Sequence, residues 1–220
     1  MDRKIVTRRI ADIRKELLHL NHDICVMDSV DMERYPENYE AVSTEAGLRA
    51  ERIACRLRSL IYASTNVDKT EYLVKAGEAQ GINIRCEDGI MEITMPRLLP
   101  KKRMRRSNLF LLDPLQALLK QYSEENLLPY FKKCVVCICH VYDCELPDWC
   151  LLDYDNVQQK QILDMIALYV MEDDSGLLCD VYHTTEFGEK DGTKLFIMEQ
   201  DQFVGWLHKH KKARKNISDF

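Results

Sequence analysis

Eight consecutive residues, Cys134-Val135-Val136-Cys137-Ile138-Cys139-His140-Val141, carry a single polar side chain. A run this apolar and this rich in Val and Ile reads as a buried strand, which needs cover on its faces. The chain around it must therefore supply both strand neighbours and helices. With 220 residues, 46% hydrophobic and 30% charged, it has the material for such a core, and a mainly disordered chain is excluded.

The N-terminal third reads as helical. Ile10, Ile13, Leu17, Leu20 and Ile24 recur at intervals of three and four, and Ala46, Ala50, Ile53, Leu57, Leu60 and Ile61 repeat the period beyond a polar connection around Tyr35-Pro36-Glu37-Asn38. The two segments are expected to pair as an antiparallel hairpin. A shorter helix follows, with Asp68 and Glu71 in capping-box spacing and Gly81 at its C-terminal end.

The pattern then becomes mixed. Ile82–Cys86 and Ile90–Met95 flank Glu87-Asp88-Gly89, a hairpin signal. Asp113-Pro114 predicts a helix N-cap, with helix from Leu115 to about Tyr122. After the buried strand, Asn156–Val170 reads as a helix, and Leu177–His183 and Lys194–Met198 read as strands joined through Gly188–Gly192. The expected class is α+β: a helical hairpin or bundle over residues 1–81, a small mixed α/β domain over 82–205 and a basic tail over 206–220.

No stretch reaches the roughly 18 continuous apolar residues of a membrane helix. The basic N-terminus has no apolar segment behind it, and nine cysteines, mostly inside apolar runs, fit reduced core thiols, so a cytoplasmic location is expected. Cys134, Cys137, Cys139, His140, Cys144 and Cys150 lack the Gly-containing turn between ligand pairs that a zinc module would show. Walker, nucleophile-elbow and dinucleotide fingerprints are absent, so no small-molecule cofactor is expected.

Two features carry chemistry. Asp153-Tyr154-Asp155-Asn156 precedes a helix bearing Lys160 and Asp164, and Glu172-Asp173-Asp174 follows it. Asp153 and Asp155 point to one side of an extended segment; if Asp173 or Asp174 folds back to them, an all-carboxylate site favours Mg²⁺, and hence a phosphoryl substrate. Helix capping and a solvated acidic turn are the plainer account of the same residues. The second feature is Arg97, Lys101, Lys102, Arg103, Arg105 and Arg106, six basic residues within ten positions on a chain of net charge −5. Such a run can neutralise phosphates and bind nucleic acid in a salt-dependent, largely sequence-independent way, with a solvated loop as the plainer account.

Asp153-x-Asp155-Asn156, the lysine-bearing helix, Asp173-Asp174 and the closing Gly192–Ile197 strand resemble the RusA-type Holliday junction resolvases, over roughly residues 85–200. The resemblance implies a small dimeric mixed α/β domain in which Asp153, Asp155 and Asp174, with Asp173 the lesser candidate, hold Mg²⁺ or Mn²⁺. It implies hydrolysis of phosphodiesters in branched DNA, with Lys160 stabilising developing charge, while residues 1–81 have no counterpart and are expected to serve dimerisation or partner contact. Two departures set a second expectation beside the first. The segment before Asp153 lacks basic residues, and Lys160 lies five positions after Asp155 where the family has four, a rotation of about 100° on a helix. The second expectation is a catalytically inactive nucleic-acid-binding or assembly protein on the same fold, of the kind a mobile element encodes.

Overall fold

The computed structural model describes residues 2–99, 109–125, 128–145, 151, 153–157 and 159–215. The chain divides between Lys69 and Thr70 into two units.

The first unit is a hairpin of α1 (Arg3–Ser29) and α2 (Pro36–Ser64). Asp2 caps α1 by accepting from the Lys4 amide at 3.1 Å, and Asp31 accepts from the amides of Glu33 and Arg34, both at 3.0 Å, turning the chain toward Pro36. Proline suits the first helical position because its missing N–H has no intrahelical partner there. The expected stripe is only partly covered. Ile13, Ala46 and Ile53 are buried, whereas Ile10, Leu17 and Ile24 stay exposed, since one helix covers only a narrow strip of another. Arg49 adds a polar lock, its guanidinium reaching Asp23 at 2.8 Å and Glu16 at 3.0 Å on α1, and Glu45 at 3.1 Å on its own helix.

The second unit takes the remaining elements: α3 (Lys69–Gln80), β1 (Asn83–Glu87), β2 (Ile90–Met95), α4 (Leu109–Glu125), β3 (Cys134–Asp143), α5 (Lys160–Val170), β4 (Cys179–Gly188), β5 (Gly192–Glu199) and α6 (Phe203–Lys215). α3, expected with the N-terminal helices, thus belongs on this side of the division but for its first residue. Residues 203–215, expected in large part as a tail, form a helix that buries Trp206.

The five strands lie in the order β1-β2-β5-β3-β4, antiparallel except for the β3–β4 pair. That parallel pair needs a crossover, and α5 supplies it. β3 is buried along nearly its whole length, as its composition requires. Its Val136 and Ile138 join Met91, Ile93, Leu195 and Ile197 in the main core with Ile162, Ile166 and Val170 of α5 and Leu115 and Leu119 of α4. Its Val135 and Cys137 face the other way, into a thinner layer with Met198 and Trp206. The β1–β2 hairpin turns at Asp88 and Gly89, with φ of 53° and 77°, the left-handed pair that an Asp-Gly step favours.

Two helix starts differ from expectation. α4 begins at Leu109, so Pro114 lies inside the helix rather than opening it; the intrahelical bond it forgoes would fall on the carbonyl of residue 110, near the helix start, where the loss is small. Asn156 does not begin α5: residues Tyr154–Asn156 form a single 3-10 turn, Val157 inserts into the core, and the α-helix starts at Lys160.

Ile166, fully buried on α5, and Leu168, 77% exposed on the same helix, report the packing of the crossover. Ile166→Ala is expected to cost about 2–5 kcal/mol and Leu168→Ala under about 1 kcal/mol, measured by urea unfolding.

Candidate functional site

The two parallel strands carry polar side chains from the middle of β4 to the C-terminal part of β3. His140 lies opposite Thr185, and His183 lies opposite Ile138, so the two imidazoles share the face that α5 covers. Their ring nitrogens, His140 Nε2 and His183 Nδ1, are 3.1 Å apart. Tyr154, from the 3-10 turn, stacks on both, with ring centroids 5.3 Å from His140 and 5.0 Å from His183. Its hydroxyl shares a hydrogen bond of 2.7 Å with Thr185 Oγ1.

This stack fixes the acidic motif. Asp153 and Asp155 flank Tyr154 and are exposed, while Val157 holds the other end of the turn in the core. Asp153 occupies the capping position of the turn, yet its side chain makes no capping hydrogen bond, contrary to what a purely helix-starting role would give. Beyond the turn, Lys160 Nζ lies 2.8 Å from Asp164 and 3.7 Å from Asp174. The hydrogen bond and charge of Asp164, joined by the charge of Asp174, hold the Lys160 pKa above its usual value. Asp173 accepts from the Asp174 amide at 2.9 Å and so shapes the turn.

The structure thus brings Asp174 back to Lys160 and places Asp153 and Asp155 on one short turn ahead of the same helix. It does not gather the three carboxylates: among the described residues, three donor atoms come within 4.8 Å of one another at Cys139, Glu186 and His210 instead. All-oxygen donors on an exposed turn match a hard cation that keeps several waters and takes one or two carboxylates. Asp153, Asp155 and Asp174 fit such an ion in donor chemistry.

Of the basic run, Arg97 is exposed just past β2, and its carbonyl accepts from the buried Thr193 hydroxyl at 2.9 Å. Lys101, Lys102, Arg103, Arg105 and Arg106 lie outside the described residues.

In the sequence His140 stands out only beside the cysteines as a candidate zinc ligand, and no motif marks His183. The signal available was weak: the parallel register that pairs them follows from strand alignment, not spacing. Burial, with the neighbouring His183, pushes the His140 pKa from 6.5 down to about 4, and burial lowers that of His183 as well. Both rings are therefore neutral in the folded protein near neutrality, and one donates to the other.

A pH dependence follows. Unfolding frees His140 to take up a proton at about pH 6.5, so its contribution to stability is present above that value and is lost as pH falls toward about 4. Between about pH 7 and pH 5, urea unfolding is expected to show a loss of about 2 kcal/mol from this residue, and His140→Gln is expected to flatten that slope.

No curated protein matches the chain. A family model does so along almost its full length, over residues 2–220, and on that match the chain belongs to DUF6100, a family of unknown function.

Proposed function

We propose that the second unit is a Mg²⁺-dependent, structure-selective endonuclease of RusA type that hydrolyses phosphodiesters in branched DNA. The observation that carries this reading is the 3.7 Å contact between Lys160 and Asp174, which joins the acidic motif after α5 to the start of the helix that follows Asp153 and Asp155. The five-residue offset from Asp155 to Lys160 is taken up by the 3-10 turn, so the lysine still meets the later aspartate.

In this reading Asp153, Asp155 and Asp174 would hold the ion once drawn together around it, and the ion would supply positive charge to the scissile phosphate and to the attacking water. Mn²⁺ suits the same oxygen donors. Lys160 steers Asp174 and offers an ammonium to a phosphate oxygen as negative charge grows there. The His140–Tyr154–His183 stack holds the turn rigid, so that the two flanking carboxylates do not have to be ordered when substrate arrives. Arg97 and the basic residues after it bind the DNA backbone, and the N-terminal hairpin, with Leu17, Leu18 and Ile24 exposed, provides the contact for a homodimer.

A second reading is favoured by one observation: Lys160 sits closer to Asp164, at 2.8 Å, than to Asp174, so its charge is shared between two carboxylates before any phosphate arrives. On that reading the unit binds nucleic acid without cutting it.

Incubation with a synthetic four-way junction, beside linear duplex of the same sequences, separates the two. The nuclease reading expects junction-selective nicking with Mg²⁺, none with EDTA, and a loss of at least about 100-fold in Asp155→Asn. Salt-sensitive binding with no nicking of any substrate would overturn it in favour of the non-catalytic reading.

A further inference from the structure

The opposite face of the sheet holds a second cluster. Cys139 of β3, Glu186 of β4 and His210 of α6 present a thiol sulfur, a carboxylate oxygen and an imidazole nitrogen that all lie within 4.8 Å of one another. We propose that these three residues bind a divalent ion of the zinc class, clipping α6 to the sheet.

The donor set is the first argument. Sulfur, nitrogen and oxygen together suit Zn²⁺ better than Mg²⁺ or Ca²⁺, and three protein donors leave a fourth tetrahedral position to water. Tetrahedral coordination needs donors somewhat closer than 4.8 Å, a change that side-chain rotation supplies. The Glu186 Oε1 to His210 Nδ1 distance is already 3.2 Å.

The surroundings are the second argument. Cys139 is fully buried, and the side chains of His210 and Glu186 are 8% and 14% exposed, so few waters compete for the position. His210 is held by stacking on Trp206 one helical turn earlier, with ring centroids 4.5 Å apart. Lys194, opposite Cys139 on β5, donates to Glu186 Oε2 at 3.0 Å and leaves Oε1 turned toward His210. This is how an outer partner orients a ligating carboxylate.

Charge is the third. The Lys194 ammonium, 3.0 Å from Glu186, has a side chain 36% exposed. In the absence of an ion, Lys194 offsets Glu186. Ion binding releases the thiol proton to solvent; thiolate and carboxylate then balance the dication, and the Lys194 charge is left to the solvent that reaches its side chain. The clip also has something to do, because the layer under α6 is thin, with Val135, Cys137, Met198 and Trp206 as its buried residues.

Co²⁺ is the probe, added to the full-length chain after removal of bound metal with a chelator. The expected result is one equivalent bound, with a thiolate-to-cobalt charge-transfer band in the near ultraviolet that Zn²⁺ displaces. Cys139→Ser is expected to remove the band, and Cys137→Ala, buried on the same face, to keep it. A wild-type protein without the band at saturating Co²⁺, or a band that survives in Cys139→Ser, would overturn the proposal. Asp153, Asp155 and Asp174 offer no sulfur, so the outcome is independent of whether the chain cleaves DNA.

Discussion

The second unit depends on the lateral pairing of β3. This strand is too apolar to meet water on either side, and its backbone is satisfied by β5 on one edge and β4 on the other. The β5 pairing is antiparallel and the β4 pairing is parallel, so β4 can be reached only through a crossover. Because α5 is that crossover, the acidic turn before it and the acidic segment after it are tied to the two ends of one packed helix. The candidate site is a by-product of the connection that the buried strand demands.

The same strand divides the chemistry between two faces. Alternation along β3 sends His140 toward α5 and Cys139 toward α6, one residue apart in sequence and on opposite sides of the sheet. One side gathers a neutral His pair under a tyrosine beside exposed carboxylates, which suits a solvated, highly charged substrate. The other gathers soft and hard donors in a nearly dry layer, which suits a tightly held ion. A single cysteine-rich run thus faces two chemically different layers.

What could be read from sequence were the local signals. Asp88-Gly89 encodes its own turn, Gly81 takes its left-handed position with φ of 87°, and the apolar run encodes β3. Misreadings arose where a local signal competed with packing. Asp113-Pro114 has the form of a helix start, but Leu112 and Leu115 are both buried, and continuing the helix through proline covers more apolar surface than starting after it. Asp153 has the form of a cap, yet Tyr154 is drawn onto the histidines and Val157 into the core, which delays the helix to Lys160. The His140–His183 pair and the Cys139–Glu186–His210 cluster were illegible because they depend on register between strands and on the face of α6. No spacing within a single segment records either.

The two units draw on different interactions, and the salt of the medium therefore acts on them through different groups. Among its described residues the hairpin buries three apolar side chains, and Arg49 draws Glu16, Asp23 and Glu45 together, an attraction that dissolved ions screen. The sheet unit rests on a continuous apolar core, which excluded salts such as sulfate strengthen. Dissolved ions therefore reach the hairpin through its Arg49 cluster and the sheet unit through its apolar core.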